Sequence, residues 1–156
     1  MHHFNFEITD KFFESFETER RFHDMHVDLT VDIMKDTTML ILDFKHDGNT
    51  QVTCDRCLAE IPQHVGGSNK LIVKFGENRE DDNESIITLA QGEYEIDLSP
   101  FIYDYICLSF PWRFDCSDLK ESEKPCDEEV LKKIAFLQVN KDNQGDPRWD
   151  ALKKLK

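Results

Sequence analysis

No run of about 18 apolar residues occurs anywhere in the 156-residue chain, which excludes a membrane-spanning helix on hydropathy. The first residues mix His2, His3 and Phe4 with Glu7 and Asp10 and lack the basic-then-apolar order of a secretory signal, so export is not expected. Positive charge is scarce: 19 Lys and Arg stand against 32 Asp and Glu, a formal net charge of −13. A surface of that sign repels phosphate and argues against nucleic-acid binding over the whole molecule. Hydrolytic and nucleotide-binding signatures are missing as well: no Gly-x-Ser-x-Gly elbow, no His-Glu-x-x-His and no Walker-type loop. No internal repeat and no low-complexity tract is present.

What is present suffices for one folded domain. Hydrophobic residues make up 39% of the chain and aromatics 11%, 12 of them Phe, enough to bury a core without staples. The charge is uneven. Residues 132–156 hold seven basic and three acidic side chains, a surplus of four positive charges, which leaves −17 on the first 131 residues. An acidic body suits a basic protein partner, or simply solubility, with phosphate contact confined to the tail or to a local patch. The chain divides on this basis into an acidic body, 1–139, and a hinge with a basic C-terminal helix, 140–156.

Residues 25–33 alternate Met25, Val27, Leu29, Val31 and Ile33 with His26, Asp28, Thr30 and Asp32, the period of a strand with one buried face. Further strands are expected at 39–44, 51–54, 71–75, 85–90 and 93–98, with turns at Asp47-Gly48 and Gly66-Gly67-Ser68. The acidic segment 76–84 reads as a solvated loop. Ser99 and Pro100 open a helix that Pro111 stops, with Ser99 as its cap. A second helix is expected over 127–137. A third follows from Asp146, where Trp149, Leu152 and Leu155 recur every third residue and Lys153, Lys154 and Lys156 complement the helix end. The fold class expected is α+β: one domain, a mainly antiparallel sheet covered by two or three short helices.

Five cysteines in a chain without an export signal suggest reduced thiols or metal ligands rather than disulfides. Cys54 and Cys57, with two residues between them, can turn both thiolates toward one Zn²⁺, which needs two further ligands. Cys116 and Cys126 are the best completing pair; His46 and His64 are possible substitutes, whereas Cys107 falls on an apolar helix and belongs to the core. Structural zinc, plain reduced thiols and a redox Cys-x-x-Cys all remain open at this point. His23 and His26 fall on the wet face of their strand. Trp112-Arg113-Phe114 and Arg148-Trp149 are combinations that stack on unpaired bases while holding phosphate, or else pack into the body. Arg56 is either an outward cation for a partner or one half of an internal ion pair.

These residues fall into a recognisable order. Cys54-x-Arg56-Cys57-Leu58 follows a β meander; Ile96-Asp97-Leu98 leads into a helix ending Leu108-Ser109-Phe110-Pro111; Cys126 precedes another helix; and the chain closes on Asp146-Pro147-Arg148-Trp149 and the residues after it. Over residues 20–156 the sequence resembles the YceD family of large-subunit ribosomal RNA accumulation proteins. The resemblance implies a bacterial cytoplasmic factor, without enzymatic activity, that supports accumulation or processing of large-subunit ribosomal RNA. Its partner would be precursor RNA, a basic ribosomal protein or both. Arg56, Arg148, Lys153, Lys154 and Lys156 are the residues expected to make that contact. A zinc-stabilised or redox-sensing adaptor unrelated to ribosomes is the alternative.

Overall fold

The computed structural model describes residues 1–16, 20–76, 83, 85–90, 92–116 and 126–137. Among these residues five strands form one sheet in the order β1-β2-β3-β4-β5. They are β1 (His2–Thr9), β2 (Phe22–Lys35), β3 (Met39–Thr53), β4 (Glu60–Phe75) and β5 (Ile86–Leu89). The first four run antiparallel and β5 joins β4 in parallel. Among the described residues three helices complete the α+β domain: α1 (Asp10–Phe13), α2 (Ser99–Leu108) and α3 (Glu128–Leu137).

Alternation decides which face is buried. Met25, Val27, Leu29 and Val31 of β2 meet Leu42 and Phe44 of β3 and Val65, Leu71 and Val73 of β4 in one core, closed by Ile102 and Ile106 of α2. The opposite face carries His26, Asp28 and Asp32 beside Asp43, Lys45 and Asp47 and stays polar. Within β2, Asp24 takes a φ of +50°, and the register shifts between His23 and His26. This is a β-bulge at a residue type that tolerates the left-handed region.

Several expectations need correction. Asp47-Gly48 is not a turn: 39–44 and 51–53 belong to the single strand β3. Gly48 is there because β2 passes so close that a Cβ would lie 2.1 Å from the His26 carbonyl oxygen. Gly66-Gly67-Ser68 is likewise strand, in β4, and a Cβ on Gly67 would come within 3.0 Å of the His46 ring. Residues 93–98 pair with no strand among the described residues; Ile96 and Leu98 pack on the core from an irregular connector. Ser99 is the first helical residue of α2 rather than its cap, and its N–H donates to Asp97 Oδ1 at 2.9 Å. That bond and the Ser99 hydroxyl hold the Asp97 carboxyl below its ordinary range. β1 and α1, for which the sequence raised no expectation, extend the sheet and supply Phe13, fully buried.

A second, smaller core lies at one end of the sheet, built from Val52, Cys54, Cys57, Ile61, Phe114 and Cys116. Phe22 and Phe110 pack against both cores, their rings stacked at 5.2 Å, and Phe110 meets Phe114 edge-on at 5.9 Å. Aromatic contact thus fixes this end of the molecule to the main body.

Candidate metal centre

Cys54 follows the last residue of β3, and the chain reverses through 54–59 before β4 begins. The reversal is closed by backbone bonds from Cys54 N–H to Ala59 O at 2.8 Å and from Leu58 N–H to Cys54 O at 3.0 Å, with Leu58 at φ +62°. Arg56 N–H donates to Cys54 Sγ at 3.4 Å, and the Ala59 N–H donates to the Cys57 sulfur. Backbone donors aimed at both sulfurs favour thiolate over thiol.

The second half comes from the segment after α2. Asp55 N–H donates to Phe114 O at 2.8 Å, and Phe114 N–H donates back to Asp55 Oδ2 at 2.9 Å. Arg21 pairs with the other Asp55 oxygen and lies over the Phe114 ring, 5.3 Å from its centroid. These contacts set Cys116 opposite Cys57, sulfur to sulfur 3.5 Å. The fourth sulfur, Cys126, stands just before α3, whose first turn is capped by Asp127: Oδ1 accepts from Glu129 N–H at 2.8 Å and Val130 N–H at 3.4 Å. The Asp127 N–H reaches the Cys57 sulfur.

All four Sγ atoms lie within 4.8 Å of one another. Four sulfurs around Zn²⁺ at about 2.3 Å would stand about 3.8 Å apart, so the set has the size a tetrahedral thiolate site requires. A 3.5 Å separation is far from a disulfide, and all five cysteines are free. Burial opposes ionisation of Cys57, but the Ala59 and Asp127 N–H groups and the Cys116 and Cys54 thiols bring it down to about 7. Burial pushes Cys116 and Cys126 up. Of the three, Cys57 is the one held down and Cys116 and Cys126 are held up, so a bound dication would be needed to draw the other two into the thiolate form.

The four cysteines singled out by spacing are thus brought together, and the histidine substitutes are not among them. His64 bonds Asp47 at 2.9 Å on the open sheet face, and His46 is buried with neither ring nitrogen partnered among the described residues. Cys107 is half-buried on α2, its thiol pushed up by burial, and stands apart from the cluster. His23 and His26 lie on the surface side of β2, His23 3.4 Å from Glu60. Arg56 is exposed and its guanidinium has no partner among the described residues. Arg148, Lys153, Lys154 and Lys156, with the whole segment 140–156, lie outside the described residues. α3 does not cover the sheet; its Val130 packs on the cysteine core instead. Asp55, Arg21 and Phe114, the groups that hold the two cysteine segments together, carry no motif that the sequence alone would single out for this role.

Comparison with known proteins gives one match. The family described as large ribosomal RNA subunit accumulation protein YceD fits residues 42–156, a span that contains all four cysteines. No curated protein and no solved structure matches the chain. With most of its length matched, the chain belongs to the YceD family.

Proposed function

We propose that this protein is a non-catalytic factor that supports accumulation of large-subunit ribosomal RNA and assembly of the large subunit. The family match over residues 42–156 carries the reading. The absence from the sequence of the usual hydrolytic motifs agrees with a binding role.

In this reading Cys54, Cys57, Cys116 and Cys126 hold a structural Zn²⁺. When bound, the ion supplies cross-linking: it joins the β3–β4 reversal, the segment after α2 and the start of α3, three pieces of chain that share only a small core. The acidic body meets a basic ribosomal protein, and RNA is contacted where cations collect, at Arg56 and at the tail residues Arg148, Lys153, Lys154 and Lys156. The basic segment 140–156 serves as the RNA-contacting part and the acidic body 1–139 as the protein-contacting part, and the protein works in the cytoplasm, where ribosomes are assembled.

The test is a sucrose-gradient profile, with RNA analysis, of cells depleted of the protein. A shortage of large subunits with under-accumulated large-subunit RNA is expected. An unchanged profile would overturn the reading in favour of a zinc-dependent adaptor outside ribosome assembly.

A further inference from the structure

Building on the assembly-factor reading, we propose that the cysteine-bearing end binds an unpaired RNA segment, one base stacked on Trp112 and the neighbouring phosphate held by Arg113 and Arg56. Trp112 is 99% exposed, although the segment around it is fixed on both sides. Phe110 stacks on Phe22, Phe114 is buried and bonded twice to Asp55, and Cys116 is buried among the other cysteines. A tryptophan held in solvent by an anchored backbone is a ready stacking surface, because the ordering cost is met by the fold before any ligand arrives. Leu58, at φ +62° on the adjoining reversal, is 75% exposed and adds apolar area.

Charge complementarity selects the occupant. Three of the four arginines among the described residues, Arg21, Arg56 and Arg113, lie on this end of a chain with a net charge of −13. Arg113 and Arg21 are ion-paired, but their carboxylates point inward: the Asp115 side chain is 4% exposed and Asp55 31%, against 65% and 60% for the arginine side chains. Within these two pairs the outward group is the cation, and Arg56 has no carboxylate among the described residues; the exposed carboxylates of this end, Glu60 and Asp127 to Glu129, belong to the starts of β4 and α3 rather than to the segment of Trp112. A flat ring flanked by planar guanidiniums matches a base and its phosphate; an acidic peptide would use the arginines and leave the ring idle. Two cations imply few phosphate contacts and hence a shallow salt dependence, a slope of about −0.7 per phosphate on a single strand.

The test uses the full-length protein, purified reduced and without chelator, carrying Trp149→Phe, so that Trp112 is the one tryptophan left to report. The probe is a single-stranded 12-nucleotide oligoadenylate RNA, with a 12-base-pair RNA duplex and a polyglutamate peptide as competitors. Oligoadenylate should quench Trp112 fluorescence, and neither competitor should displace it at equal concentration. Read by the fluorescence anisotropy of the dye-labelled oligonucleotide, Trp112→Ala should weaken binding on the order of tenfold, Trp112→Phe should keep most of it, and Arg56→Gln should lower the salt slope by about 0.7. Because Trp112 is fully exposed, its variants should melt with the parent protein. No quenching, equal affinity in Trp112→Ala, or displacement by polyglutamate would each overturn the proposal. RNA binding by the purified protein with an unchanged gradient profile in depleted cells would instead sink the assembly reading alone.

Discussion

Asp55 and Phe114 are bonded in both directions: the Asp55 N–H donates to the Phe114 carbonyl at 2.8 Å, and the Asp55 carboxylate accepts from the Phe114 N–H at 2.9 Å. The same carboxylate takes Arg21, which lies over the Phe114 ring. One acidic side chain between two clustered cysteines thereby aligns the Cys54–Cys57 reversal with the stretch of chain that ends in Cys116. Asp55→Ala should cost about 1–3 kcal/mol in urea unfolding, because it leaves the Phe114 N–H without its acceptor. It should also weaken metal affinity about 10- to 100-fold in a chelator competition. Asp55→Asn, which keeps an acceptor oxygen, should recover part of both.

Metal removal should loosen one end of the molecule and spare the rest. None of the four clustered cysteines belongs to the main core of β2, β3, β4 and α2. In hydrogen exchange after chelation, amides at 54–59, 114–116 and 128–131 should lose protection while those of Leu29, Phe44 and Val73 keep it. Uniform loss across the sheet would show that the two cores unfold as one.

Gly48 and Gly76 make an internal contrast. A Cβ on Gly48 would sit 2.1 Å from the His26 carbonyl oxygen and 2.6 Å from the Val27 Cα, both backbone atoms that cannot swing away. Gly48→Ala should destabilise by about 2–3 kcal/mol. At Gly76 a methyl group would meet nothing within 4 Å among the described residues, so Gly76→Ala should stay within about 0.5 kcal/mol of the parent protein. Equal urea midpoints for the two variants would contradict the close approach of β2.

His46 carries a pH dependence. Its ring is buried with both nitrogens unpartnered among the described residues, and burial holds its pKa below the ordinary 6.5, opposed only in part by Asp47. The neutral form is the folded form. Because the folded pKa is depressed, the unfolded chain takes up the proton first: stability is intact above 6.5 and falls as pH drops below it toward the folded pKa. The loss can reach about 1.4 kcal/mol per pH unit for this one proton. His46→Leu should remove that part of the slope when stabilities are compared between about pH 7 and 5; identical slopes would mean the ring is not protected from water.

How far the sequence foretold this fold varies from element to element, for physical reasons. Residues 25–33 are legible because one face is buried and the other wet, and α2 because Pro100 and Pro111 bracket an apolar stripe. The alternation of Phe4, Phe6 and Ile8 with Asn5, Glu7 and Thr9 is a usable signal for β1, though a weak one, since Phe4 and Phe6 are exposed and only Ile8 is buried. Gly48 and Gly67 mislead because glycine marks both turns and close packing, and which applies depends on what lies across the strand: a β2 carbonyl and the His46 ring. Ile96 and Leu98 have strand spacing but no neighbour to pair with among the described residues. The four metal-ligand candidates follow from spacing and elimination, whereas Asp55, Arg21 and Phe114 have no local pattern because their roles arise only when distant segments meet.

The central claim is that four cysteines from three separated segments form one zinc site. The most direct measurement is the metal content of protein purified reduced and without chelator, by elemental analysis, beside Cys57→Ser. About one zinc per chain, lost in the variant, is the predicted result. Less than about a tenth of an equivalent in the parent protein, or the same content in both proteins, would contradict it.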